Sequence, residues 1–371
     1  MNKDDTEQHF LEEEQDSWNI TKYVWTIKKH GKVISSVLNC DNIDAKSIRN
    51  KYEYSRFCRP SNRNIKEIIK LENNIVNLTD NYEFIRVSEL VPIWLYRYLS
   101  WMSPHRSIQM NRELELCSDL SVSLALEWLL KRKLQQCKYA KIAWFNSTFR
   151  PQNFYGADNQ KEVPYIHFSM YWNAIVWRDR DEVRFAKEFL PELLEHYLKI
   201  ITDKNSNLSI NNIEIVISYM PNTEDILWKY WKTLHEFRDY QLKERSKNWK
   251  EPTLNEYLWT DIIMNHPCLD SLIKENNKWL NLDIWYLISM YEEIKTLEEV
   301  YPVKIMTNIW RSRWAWQYSS IAFSIFWTSQ NGHRMDIADW WITNRWNKLV
   351  SPVERCLVWG LGIDLLSNYY K

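Results

Sequence analysis

The sequence predicts an α+β fold, mainly α, with a small antiparallel sheet packed by helices in the N-terminal part and a tryptophan-rich helical bundle in the C-terminal part. Three observations lead there. Runs of β-branched and aromatic residues bounded by turn residues fall before residue 220, and helical spacing of apolar residues dominates after it. Only 5 glycines occur among 371 residues, whereas parallel and dinucleotide-binding sheets place Gly at their tight turns.

Residues 1–17 are polar, acidic and aperiodic, which predicts a tail with little order. Residues 23–27 and 33–37, around Lys28, Lys29, His30 and Gly31, predict a hairpin. Residues 41–80 are rich in Asn, Lys and Arg and broken by Pro60; a helix is expected over 64–72 and a strand over 82–87. Residues 88–102 and 111–136 follow helical spacing, the second through Leu114, Cys117, Leu120, Leu124 and Trp128. That second stretch ends in Lys131, Arg132 and Lys133, cations that complement a helix dipole. Residues 139–149 and 165–177 predict two strands joined by a polar loop containing Pro151, Gly156 and Pro164. A helix is expected over 181–201, kinked or restarted at Pro191, followed by a strand over 213–219.

Beyond Thr223 almost only helices are expected. Ile226, Leu227, Tyr230, Trp231, Leu234 and Phe237 make an apolar stripe, and Thr253 with Glu256 forms a capping box that opens a helix to Met264. Residues 282–300, 301–327 and 336–349 add further helices. Ser351, Pro352 and Glu354 combine an N-cap, a first-turn proline and a box partner. The expected organisation is an acidic tail (1–17), an α+β region (18–220) and an all-helical region (221–371), the last two either separate or sharing one continuous core.

The 48 Lys plus Arg balance 48 Asp plus Glu, so nucleic acid is not favoured as a partner by net charge, although a local basic patch stays open. The acidic N-terminal stretch is the opposite of a secretory signal, no window reaches the roughly 20 apolar residues of a membrane helix, and a cytoplasmic protein is expected. Six scattered cysteines without a Cys-x-x-Cys pair read as reduced thiols. With so few glycines there is no phosphate-cradling loop, and neither a Gly-x-Ser-x-Gly elbow nor His-Glu-x-x-His occurs. The eight histidines are dispersed. No cofactor and no metal are expected.

Fourteen of the 22 tryptophans lie between Trp228 and Trp359, most at core positions of the expected helices. A binding surface is read at Trp310, Arg311, Arg313, Trp314, Arg334, Trp340 and Arg345, because Arg and Trp concentrate at the energetic centres of interfaces. The functional expectation is a non-catalytic protein-binding protein of the bacterial immunity, antitoxin or defence-accessory kind, its partner another protein such as a toxin or a complex subunit. Two alternatives stand beside it. One is an enzyme or enzyme subunit with a dispersed site acting on carbohydrate or nucleic acid, for which His167, His235, His266 and Asp270 are the first candidates. The other is a structural subunit of a larger assembly.

Overall fold

A computed structural model describes residues 45–54, 64–92, 95, 109–110, 114–117, 120–135, 139–149, 167–179, 181–203, 212–248, 253–309 without 262 and 264, 311, 320–328, 334–343, 351 and 353–369. The chain divides into two units, Met1–Pro60 and Ser61–Lys371. In the first, α1 spans Ala45–Tyr54; the expected acidic tail and the hairpin over 23–37 lie outside the described residues.

The second unit is organised around a large sheet on which its helices pack. It begins with α2 (Ile65–Asn77), started by Asn64, whose side chain accepts a hydrogen bond from the Lys66 amide at 3.1 Å. Strands β1 (Glu83–Phe84), β2 (Leu90–Pro92), β3 (Gln109–Met110) and β4 (Leu114–Leu116) precede α3 (Leu120–Gln135). The long hairpin β5 (Tyr139–Phe149) and β6 (His167–Arg178) leads into α4 (Glu182–Thr202), capped by Asp181 and running through Pro191. Strand β7 (Ile213–Tyr219) is followed by short helices: α5 (Met220–Lys229), α6 (Leu234–Asn248), α7 (Leu254–Leu258), then β8 (Asn265–His266), α8 (Leu269–Glu275), a π turn (Asn276–Leu280), α9 (Trp285–Ile294) and α10 (Leu297–Val300). The chain then returns to the sheet with β9 (Val303–Asn308), β10 (Ile321–Thr328), β11 (Arg334–Thr343) and β12 (Glu354–Gly362), and ends its described part in α11 (Ile363–Tyr369).

The principal sheet has nine strands in the order β1-β5-β6-β12-β11-β10-β7-β9-β8. Pairings β1/β5 and β7/β9 are parallel and the others antiparallel. Strands β2, β4 and β3 form a separate small sheet. The expectation of a mainly helical fold with a C-terminal bundle is therefore corrected: the stretches 301–327 and 336–349, read as helices, hold β9, β10 and β11, and the Ser351–Glu354 cap is a turn that delivers β12.

The reason lies in burial on both faces. On β6, Tyr171, Ile175 and Trp177 enter one apolar cluster while Trp172, Ala174 and Val176 enter another on the opposite side. On β12, Leu357, Trp359 and Leu361 face the first cluster and Cys356 and Val358 the second. Strands covered on both sides lose the alternation of apolar and polar residues, and their continuous apolar runs cannot be told from buried helix by periodicity. The larger cluster takes residues from Ile68 to Leu366, including α4 and α9; the smaller one joins β5, β6 and β12 to α3 through Leu124 and Trp128.

Between the sheet and α4 lies a buried polar island. Tyr171 Oη and His196 Nε2 share a hydrogen bond of 3.1 Å, Tyr82 stacks on the His196 ring at 5.1 Å, and Tyr197 stacks on Trp359 at 3.3 Å. Burial, with Lys199 and Lys141 adding to it, lowers the His196 pKa to about 4. A histidine held neutral in the fold and free to protonate when unfolded costs stability as acid is added. The loss begins near its ordinary value of 6.5, is complete once pH has fallen through about 4, and totals on the order of 3 kcal/mol. Urea unfolding between pH 7 and pH 4.5 should show this slope, and His196→Gln should flatten it.

Candidate functional site

Residues paired across antiparallel strands point to the same face. Ser324 on β10 pairs with Asp339 on β11 and with Val216 on β7, and Asp339 pairs with Gly360 on β12. This row lies on the sheet face opposite the cluster that holds Phe323, Ile325 and Trp359. It sets the polar Ser324 and Asp339 between Val216 and Gly360.

Arg311, which follows β9 closely, closes over this row and is only 7% exposed. Its Nη1 donates to Ser324 Oγ at 2.9 Å and its Nη2 to Asp339 Oδ1 at 2.6 Å. The Arg311 carbonyl accepts from the Thr223 hydroxyl in the first turns of α5 at 3.2 Å. Both ends of Arg311 are thereby fixed. The Asp339 side chain is 21% exposed, so the pair sits at the boundary of core and solvent. A guanidinium this deep is stable only beside an anion, and Asp339 meets that need.

Further along the same face, Arg334 Nε donates to Glu214 Oε2 at 2.8 Å, and the guanidinium lies 3.5 Å from the centre of the Phe326 ring. Phe326 is paired with Glu214 and Asp336, so the cation rests on a platform set by strand register. On the other side of Asp339, the Trp172 indole lies across Gly360. A Cβ there would stand 2.7 Å from Trp172 Cζ3 and 2.8 Å from Met170 Cε, which leaves room for glycine alone.

Of the residues read from sequence as a binding surface, the structure brings Arg311 and Arg334 onto one face of the sheet, the first buried and the second partly exposed. Trp340 is on β11, paired with Phe323 and Trp359, and its side chain is outside the described residues, as are Trp310, Arg313, Trp314 and Arg345. Ser324, Asp339, Glu214 and Thr223 were not anticipated. Asp339 carried a signal nonetheless: a single carboxylate between Ile337, Ala338 and Trp340 in an apolar run demands a cation.

The residues considered for catalysis are not assembled. His235 Nε2 and Asp239 Oδ2 are 3.3 Å apart on α6, both exposed, an ordinary pair one helical turn apart. His266 is buried on β8, with Nε2 3.1 Å from the Ile263 carbonyl and a pKa lowered mainly by burial. Asp270 is exposed on α8, and His167 opens β6 with a side chain outside the described residues. Among the described residues no group of three His, Cys, Asp or Glu side chains is placed to hold a metal ion. Among them, too, no helix is long and apolar enough to cross a membrane.

The second unit is a large mixed sheet with an antiparallel centre, packed by helices and with a largely helical insertion between β7 and β9. The chain shares this fold with solved structures. It is similar to an ATP phosphoribosyltransferase regulatory subunit/histidyl-tRNA synthetase from Bacillus halodurans, with 13% identity, 82% of this chain and 79% of that one covered, and a TM-score of 0.55. It is similar to a histidyl-tRNA synthetase from Nostoc, with 11% identity, 84% and 74% covered, and a TM-score of 0.59. A histidine–tRNA ligase subunit from Alicyclobacillus acidocaldarius matches with 11% identity, 83% and 94% covered, and a TM-score of 0.58. No family profile and no curated protein matches the sequence. These likenesses overturn the expectation of an immunity or antitoxin protein, and with it that of a toxin partner. They agree better with the alternative of an enzyme or enzyme subunit.

Proposed function

We propose that this chain is the regulatory subunit of an enzyme complex, built on a synthetase-type fold and working in the cytoplasm beside a catalytic partner protein. The observation that carries the reading is the filled sheet face. Arg311 is committed to Asp339 and Ser324, and the glycine beside them is roofed by Trp172, so the protein's own side chains occupy the face. The similarity to a structure described as a regulatory subunit, over 82% of this chain, supports it. Arg334, held over Phe326 and still 40% exposed, is the contact residue of this face.

The test has two measurements on the purified chain. Charging of tRNA with histidine should be undetectable. Phosphoribosyl transfer by the ATP phosphoribosyltransferase catalytic subunit of the same organism should change at least several-fold when this chain is added. Histidine charging together with an unchanged transferase rate would establish the enzyme reading instead.

A further inference from the structure

The buried island between the sheet and α4 holds more polar groups than it pairs. Asn173 lies two residues beyond Tyr171 on β6, so its side chain is on the face that α4 covers, and it is 1% exposed. It approaches the Tyr171 and Tyr197 hydroxyls, yet neither its amide nitrogen nor its amide oxygen reaches hydrogen-bonding geometry with them. The Tyr82 and Tyr197 hydroxyls, on side chains 8% and 0% exposed, likewise have no hydrogen-bond partner among the described residues. Each buried polar group left unmet costs roughly a five- to hundredfold factor in the folding equilibrium. Four such atoms together would cancel a large part of the stability of an ordinary domain.

The unmet groups converge. The Tyr82 and Tyr197 ring centres lie 5.1 and 5.6 Å from that of His196, and Tyr171 lies 6.0 Å from both His196 and Tyr197. On β5 the residue opposite Asn173 is the buried Ala143, whose methyl group leaves beside the amide the space that a larger side chain would fill. The lining is polar and uncharged: phenols, a primary amide, and an imidazole that burial holds neutral. The charged groups that act on it are matched, Lys141 with Glu192 and Lys199 with Glu195. An ion at this depth would therefore be unpaired, at a cost the fold could not carry.

We propose that this island binds ordered water, held by the Tyr82 and Tyr197 hydroxyls and the Asn173 amide. Water is neutral, both donates and accepts, and bridges polar groups that come near one another without bonding. The amide offers donors and an acceptor, and each phenol acts as either. A single molecule thus gains about three partners, the number usual for buried water. It joins β6, α4 and the segment that leads into β1 at a place where their side chains do not bond directly. The inference does not depend on the regulatory reading.

The experiment compares the full chain with variants by oxygen-17 magnetic relaxation dispersion, which detects water held for longer than nanoseconds, and by urea unfolding at pH 7. Proteins carry about one buried water per 27 residues, so the reading is the difference between two chains and not a total. Asn173→Leu, which removes the amide and fills its space, should lose at least one long-lived water. Tyr197→Phe should lower the folding equilibrium constant about fivefold, because its hydroxyl gives up a bond to water. A hydroxyl with no partner predicts the reverse, since removing it spares the burial of a polar group. Tyr82→Phe combined with Tyr197→Phe should cost less than the sum of the single losses, both hydroxyls being bound to one molecule. Equal long-lived water in the unaltered chain and Asn173→Leu, a higher urea midpoint for Tyr197→Phe, or additive losses in the double variant would each overturn the proposal. The two tyrosine variants keep it testable if Asn173→Leu does not fold.

Discussion

Asp339→Ala is expected to destabilise the protein by about 3 kcal/mol, near the lower end of what removing one partner from a buried ion pair costs, because Asp339 is a fifth exposed and water recovers part of the loss. The cost arises from Arg311, left 7% exposed without the carboxylate at 2.6 Å. Arg311→Met with Asp339→Leu should restore most of the stability, since two apolar side chains of similar volume avoid burying charge at all. Urea denaturation of Arg311→Met, Asp339→Leu and the double variant closes the cycle. Additive losses would show that the pair is not a stabilising unit.

Trp359→Ala should cost more, about 4 kcal/mol, and cause partial aggregation on heating. Trp359 is fully buried in the middle of β12 and stacks on Tyr197 at 3.3 Å, so its removal opens a cavity between the sheet and α4. Neighbouring strands hold the sheet wall and the packed helix α4 holds the other, so the space collapses little. Chemical denaturation followed by near-ultraviolet circular dichroism would measure the loss, and Trp231→Ala serves as the exposed comparison. Two residues of one type, both in the stretch richest in tryptophan, should thus differ several-fold in what they contribute to folding.

That contrast explains which parts of the fold could be read from the sequence. Strands β5 and β7 match their expected spans, and α4, announced by Asp181 and its long apolar face, begins and ends within a residue of expectation. The Thr253–Glu256 capping box is present, although α7 stops at Leu258, where Trp259 turns left-handed. In residues 111–136, β4 occupies the start and α3 the remainder. The failure is concentrated in β9 to β12. Ile321–Thr328 and Glu354–Gly362 bury both faces, and indole rings at adjacent positions mimic a helix that is apolar all round. Their aromatic and β-branched content was the signal against that reading.

The candidate site was legible only in part. Arg311 and Arg334 drew attention as cations among tryptophans, but their anions, Asp339 and Glu214, come from β11 and from β7, the latter 120 residues before Arg334. Pairings at that separation are made by strand order, which no local pattern encodes. The exposed tryptophans at the end of α5 were hidden for the same reason. Trp231 belongs to an apolar stripe that reads as core, and only the packing of α5 shows that Ile226 and Leu227 face inward while Trp228 and Trp231 face water.

Both ends of the principal sheet are finished with very short strands. Strand β1 covers β5 only at Ile142 and Ala143, and β8 covers β9 only at Thr307 and Asn308. On β9 the Ile305 amide donates to the Glu298 carboxylate at 2.6 Å, which places a negative charge on an amide that an incoming strand would need. That amide of β9 is thereby closed to backbone pairing, so lateral addition of a strand at this point should be suppressed. A partner that meets this stretch of β9 must then be recognised through what the side chains display.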